Sequence, residues 1–257
     1  MKNFKKWGAM VLASLLLFST ACRKDKTVTG VQLSDRVFKM ENEENVTKIS
    51  YYTDGTIRRI GIYEKTGYAI GNYDYMYEQD KLIGVKNGHT TWKYSYEGNL
   101  PVKIEIENTF GKPVAAYALS YDVDGKLAEQ VNYYADKAGH MLPEGKARYQ
   151  YNAAGNIIHT DLFDFTGKGW KKTGEIRTPF YDNKKNTISH LENYPYIPLS
   201  NMLTNNPLIE EFINDAGEVV ETILYKYDYD SEGRTLSRKT KHLSGYFPET
   251  ENFTKIS

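Results

Sequence analysis

From Val46 to the C-terminus, apolar and polar residues alternate with a period of two, the spacing that sends successive side chains to opposite faces of a β-strand. The clearest run is Val102-Lys-Ile104-Glu-Ile106-Glu107, with aliphatic residues on one face and charges on the other. By the same spacing Trp92, Tyr94 and Tyr96 share a face, as do Val219, Ile223, Tyr225 and Tyr227. Sheets with one dry and one wet face are characteristically antiparallel.

A repeated theme punctuates the alternation: an aromatic residue, a short Asp/Asn/Gly-rich turn, then an aliphatic residue. It reads Tyr52-Thr-Asp-Gly55-Thr-Ile57, Tyr96-Glu-Gly98-Asn-Leu100, Tyr121-Asp-Val-Asp-Gly125-Lys-Leu127 and Tyr151-Asn-Ala-Ala-Gly155-Asn-Ile157. Looser copies run from Tyr77 to Leu82, Tyr181 to Ile188, Phe212 to Val219 and Tyr229 to Leu236. Glycine supplies the positive φ of a tight hairpin, and Asp or Asn hydrogen-bonds the turn backbone. The expectation is an all-β fold with little helix: a large curved antiparallel up-and-down sheet or open barrel built from repeated hairpins. Residues 45–257 form one such domain.

In an up-and-down meander, a turn recurring once per two strands falls always on the same rim. The variable connections then gather at the other rim: Asn87-Gly-His89, Phe110-Gly-Lys-Pro113, Asp136 to Gly145, Thr166 to Gly174 and the long stretch His190 to Pro207. The last, with Tyr194-Pro-Tyr-Ile-Pro198 and Asn205-Asn-Pro207, breaks the hairpin rhythm and reads as a loop or short helix. Loop rims on rigid scaffolds commonly carry function.

The N-terminus has different patterning. Lys2, Lys5 and Lys6 precede the apolar run Trp7 to Phe18, and Ser19, Thr20 and Ala21 lead into Cys22, the sole cysteine. The run is too short to span a bilayer and has the anatomy of a secretory signal. A small-residue site stopping before a lone cysteine resembles a bacterial lipobox, which implies a lipoprotein-type signal over residues 1–21 and acylation of Cys22. Residues 22–44, polar and charged, then read as a lipidated tether. The implied location is the bacterial cell envelope, anchored by lipid and most readily at the outer membrane.

Loss of residues 1–21 leaves 30 basic against 33 acidic side chains, a net of about −3, which excludes a strongly basic nucleic-acid footprint. One thiol excludes disulfides within the chain, Cys-ligated zinc beyond a single sulfur and, once acylated, a cysteine nucleophile. Gly139 to Lys146 does not fit a phosphate loop, having five residues between its glycines and Ala147 where Ser or Thr belongs. Asp228-x-Asp230-x-Glu232-Gly233 opens like a calcium loop, but Lys239 stands where the closing glutamate should be. His159 and Asp161 share a strand face with no third ligand close in sequence, so they read as a polar pair. No cofactor, metal or catalytic residue is expected.

The Tyr121-Asp-Val-Asp-Gly125-Lys-Leu127 element resembles the tyrosine-aspartate repeats of bacterial Rhs and wall-associated proteins. A closer resemblance is to an uncharacterised family of gut Bacteroidota lipoproteins described as having a porin-like fold. It rests on the lipobox, the Tyr/Gly hairpins, Tyr181-Asp-Asn-Lys-Lys-Asn186 and Asn205-Asn-Pro207, with Thr187 where Pro is the commoner residue. The resemblance implies a large curved antiparallel sheet and carries no known activity.

Phe110, Trp170, Tyr194 and Tyr196 fall in the variable connections, where exposed rings can stack on a sugar or anchor a partner protein. The sequence thus favours a noncatalytic envelope protein that binds a glycan, peptide or envelope partner and touches the membrane through lipid on Cys22. Two other classes stay open: a hydrolase acting on polysaccharide or peptidoglycan through paired carboxylates, and a structural or assembly component of an outer-membrane complex.

Overall fold

Sixteen strands follow one another in the computed structural model, which describes residues 36–188, 203–244 and 249–257. They are β1 (Lys39–Glu41), β2 (Asn45–Tyr51), β3 (Ile57–Glu64), β4 (Ala69–Glu78), β5 (Lys81–Lys86), β6 (Thr90–Glu97), β7 (Leu100–Asn108) and β8 (Pro113–Tyr121). Then come β9 (Leu127–Ala135), β10 (Met141–Tyr151), β11 (Ile157–Phe165), β12 (Trp170–Lys185), β13 (Asn205–Asn214), β14 (Val219–Tyr229), β15 (Thr235–Ser244) and β16 (Thr250–Ile256). Among the described residues there is no helix. The signal-like segment and Cys22 lie outside the described residues.

Every strand pairs antiparallel with its neighbours in sequence, and β1 pairs with β16, so the sheet is a closed barrel. Closure removes the two edges that an open sheet would expose. The seam is short: Met40 lies opposite Ile256, and Ser257 N donates to Lys39 O at 2.9 Å. The barrel therefore begins before residue 45, since Lys39–Glu41 is the strand that closes it.

Inward and outward faces follow from register and burial. One row across the first half joins Tyr75, Val85, Trp92 and Ile106, another joins Tyr94, Ile104 and Tyr117, and Ile104 has no exposed surface. Between these positions Lys93, Lys103, Glu105 and Glu107 point outward, with Lys93 Nζ 2.6 Å from a Glu107 oxygen. The alternation in β6 and β7 is the one their sequences predict. Val219 departs from its expected face: a bulge opposite Phe212 and Ile213 turns it outward, where it is half exposed, while Ile223, Tyr225 and Tyr227 stay together.

The inward row becomes polar in the second half. It runs from Leu119 to Gln130 and Ala147, and from Ile176 to Phe212 and Glu221. On Glu221's face stand Ile223, Tyr225 and Tyr227, opposite His242, Thr240 and Arg238. Tyr225 donates to Glu210 at 2.6 Å, and His242 Nδ1 lies 2.7 Å from Glu221. Stacked rings at Tyr225, Tyr227 and Tyr229 continue the row.

The Tyr181–Asn186 and Asn205–Pro207 elements meet in space. Asn156 donates to Asn205 Oδ1 at 2.9 Å and accepts from Asn205 N at 2.7 Å. Asn206, fully buried, donates to Asp182 Oδ2 and to the Tyr229 hydroxyl, each at 3.1 Å. These amides clamp the ends of β12 and β13 where the long connection leaves and re-enters. Tyr194 and Tyr196 fall outside the described residues, as does most of that connection.

Candidate functional site

Strand direction defines two rims. The first carries the connections after β2, β4, β6, β8, β10, β12 and β14; the far rim carries the others. Two expectations are corrected by this count. The stretch from 190 to 207 belongs to the β12–β13 connection, at the first rim, and to β13 itself, which Asn205 opens, while the Phe212 copy of the hairpin theme joins β13 to β14 at the far rim.

The turns themselves do not distinguish the rims. At the first rim Asp122 Oδ1 accepts from Asp124 N and Lys126 N, and Gly125 takes φ 77° as its N–H bonds Asp122 O. At the far rim Asn108, Asp136 and Asn214 organise the same five-residue turn, with Gly111, Gly139 and Gly217 in the glycine position. Among the described residues the far-rim connections are therefore as tight as those opposite, and the expected gathering of variable loops is not observed there.

What differs is the tyrosine before the turn. At the first rim Tyr51 donates to Val37 O at 2.7 Å, Tyr96 to Leu82 O at 2.9 Å, Tyr121 to Pro101 O at 2.7 Å and Tyr151 to Leu127 O at 2.8 Å. Tyr181 makes the same bond to Ile157 O. The Tyr96, Tyr121, Tyr151 and Tyr181 hydroxyls tie each turn to the start of the strand that leaves the preceding turn, and Tyr51 ties the first to the segment before β1. Burial pushes the Tyr121 and Tyr151 hydroxyls well above their ordinary pKa, so they remain protonated donors. Tyr229 ends the series by donating to the Asp182 carboxylate instead.

Apolar side chains are exposed at both rims, Val123 wholly so in the β8–β9 turn of the first, but the most exposed rings gather at the far rim. Phe110, in the turn between β7 and β8, is 86% exposed, and Tyr68 is 70% exposed between β3 and β4. Ile70, Val114, Tyr134, Leu142 and Phe165 are also exposed beside far-rim turns. Trp170 is not a loop residue; it opens β12, opposite Phe165 across the hairpin.

Trp170 is held in a defined orientation. Its ring meets Phe165 edge-on at 5.2 Å and 66°, and the ammonium of Lys146 stands 4.9 Å from the centroids of both Trp170 and Phe163. Lys146 is itself buried and lies 3.4 Å from Glu129, which also binds Arg148 at 2.8 Å. Cation–π contacts of this kind contribute about 0.5–2 kcal/mol, depending on desolvation. The outcome is a partly buried indole fixed on the outer wall with charged groups beside it. Lys146, Phe163 and Phe165 complete this site and escape sequence reasoning. Phe165 was findable, since hairpin pairing across Thr166–Gly169 sets it opposite Trp170. Phe110 lies on the same rim, but β8 to β11 separate the two connections.

A second cluster lies on the outer face of β11 and β12. His159 Nε2 is 3.1 Å from Asp161 Oδ1 and 3.6 Å from Glu175 Oε2, and Lys172 lies 2.5 Å from Asp161 and 2.6 Å from Glu175. Burial opposes ionisation of Asp161, yet hydrogen bonds from Lys172 and His159 hold its carboxyl below the ordinary value. Glu175 is likewise lowered, chiefly by Lys172. Register supplies the third ligand that sequence proximity did not: Asp161 pairs with Glu175 across the strands.

No family model matches the chain, and no curated protein does. Among solved structures, a porin-like protein from Bacteroides uniformis aligns over 86% of this chain and 96% of its own at 14% identity, with a TM-score of 0.59. A porin-like protein from Bacteroides vulgatus covers 86% of this chain and 98% of its own at 13% identity, TM-score 0.41. A DUF3836 family protein from Parabacteroides distasonis, 22% identical, covers 37% of this chain and 74% of its own, TM-score 0.23. The first of these shows a shared porin-like fold.

Proposed function

We propose that the protein is a lipid-anchored envelope protein, acylated at Cys22, whose barrel is a noncatalytic binding module for a glycan, peptide or envelope partner. The observation that carries the reading is the Trp170 ring, braced by Phe165 and Lys146 and presented on the outer wall beside the far rim. A pre-oriented indole loses little entropy on binding, and its flat apolar face suits the C–H face of a sugar ring, with Arg148 and Glu129 placed to serve the hydroxyls.

The wall itself argues for attachment by lipid over insertion. A membrane barrel needs an outward apolar band about 25 Å tall. Here Arg59–Asp74, Lys93–Glu107 and Lys239–Glu251 pairs, 2.5 to 2.6 Å apart, lie on the outer face of β3 and β4, β6 and β7, and β15 and β16. On β5, β6 and β7, Val85, Trp92, Ile104 and Ile106 face the interior.

Glycan-array screening followed by titration of a positive sugar tests the binding role. The expected result is micromolar to millimolar binding that Trp170→Ala weakens by roughly tenfold or more while the barrel still unfolds cooperatively. Undiminished binding in Trp170→Ala overturns the site. Radiolabelled fatty acid incorporated by the natural chain and lost in Cys22→Ser tests the anchor.

A further inference from the structure

We propose that His159, Asp161 and Glu175 form a site for a divalent transition metal of the zinc class, from which the metal displaces the Lys172 ammonium. The three donors come from two adjacent strands. His159 and Asp161 are two residues apart on the outer face of β11, and Glu175 on β12 is the register partner of Asp161. Their ligand atoms all lie within 4.8 Å of one another.

The spacing matches a small tetrahedral ion. Bonds of about 2.0–2.1 Å place neighbouring ligand atoms roughly 3.3 Å apart. The observed separations from His159 Nε2, 3.1 Å to Asp161 Oδ1 and 3.6 Å to Glu175 Oε2, bracket that edge. One imidazole and two carboxylates form a donor set suited to zinc and its neighbours, and a wider calcium sphere would require more oxygens than these.

A cation is already seated there. Lys172 Nζ contacts Asp161 Oδ1 and Glu175 Oε2, the same two oxygens that face the imidazole. Arg177 holds the other oxygen of Glu175, which fixes the carboxylate and leaves Oε2 for the ion. The Lys172 side chain is 44% exposed, so its ammonium can swing into water at little cost. Replacing one positive charge by two against the same pair of carboxylates strengthens the attraction. Water fills the fourth position.

Calorimetric titration of the untagged full-length protein with Zn²⁺, and optical titration with Co²⁺, test the site. One equivalent is expected to bind, with the intense visible bands of tetrahedral Co²⁺ that added Zn²⁺ removes. Lys172→Met should tighten binding by roughly tenfold, and His159→Ala or Glu175→Gln should weaken it by at least as much. Melting curves without metal verify that each variant is folded, and Lys172→Gln replaces Lys172→Met if the latter is not. Failure of the natural chain to bind, binding indifferent to His159→Ala, or no tightening in the folded Lys172 variant overturns the proposal and leaves an ion-pair network.

Discussion

At the first rim the half-buried Tyr121 bonds Pro101 O, while at the far rim the Phe110 ring is almost wholly in water. Asp122–Lys126 and Asn108–Lys112 nevertheless have the same turn, with the same side-chain oxygen accepting the same two backbone N–H groups. Turn chemistry closes a hairpin but does not decide what becomes of the end of the barrel. The neighbouring aromatic does. A hydroxyl that reaches the neighbouring hairpin ties one rim together; rings without such a partner stay in water at the other.

The largest test of this contrast compares the aliphatic residues beside the turns. Leu127→Ala, at a buried first-rim position, should lower unfolding free energy by about 2–5 kcal/mol in chemical denaturation, whereas Val219→Ala at the far rim should change it by less than about 0.5 kcal/mol. Equal losses would mean that the rims are not mechanically distinct. Next in size is the hydroxyl itself. Tyr121→Phe should cost about 1 kcal/mol because the Pro101 carbonyl loses its donor, while Tyr134→Phe, exposed at the far rim, should be neutral.

The smallest effect concerns acid and the closing seam. Hydrogen bonds from Lys39 and then Lys65 lower the Glu41 carboxyl from 4.5 to about 2, at the far-rim end of β1. Because the folded value is depressed, this contribution is complete above about pH 4.5 and is lost as pH falls toward 2. Melting temperature followed through that window should fall less steeply in Glu41→Gln. An identical slope in both proteins would remove Glu41 from the account.

Much of the fold was legible because strand period and turn residues are local. Trp92, Tyr94 and Tyr96 share the buried face that their spacing requires, and the Asp/Asn-to-Gly turns occur where their residues stand. The bulge that turns Val219 outward was hidden, since it arises from a mismatch with β13. The candidate site was legible only in part. Trp170 could be singled out, but Lys146 beneath it comes from a different hairpin and Glu175 joins His159 only through register.

By itself, then, the sequence determined an antiparallel hairpin meander with one apolar face, because side-chain alternation and positive-φ turns depend on residues close in the chain. Tertiary structure decided that β1 meets β16, that tyrosines lock one rim, and that Trp170 and the His159 cluster acquire their neighbours. Those outcomes depend on strand register and closure, which bring together residues whose separation along the chain carries no signal of contact.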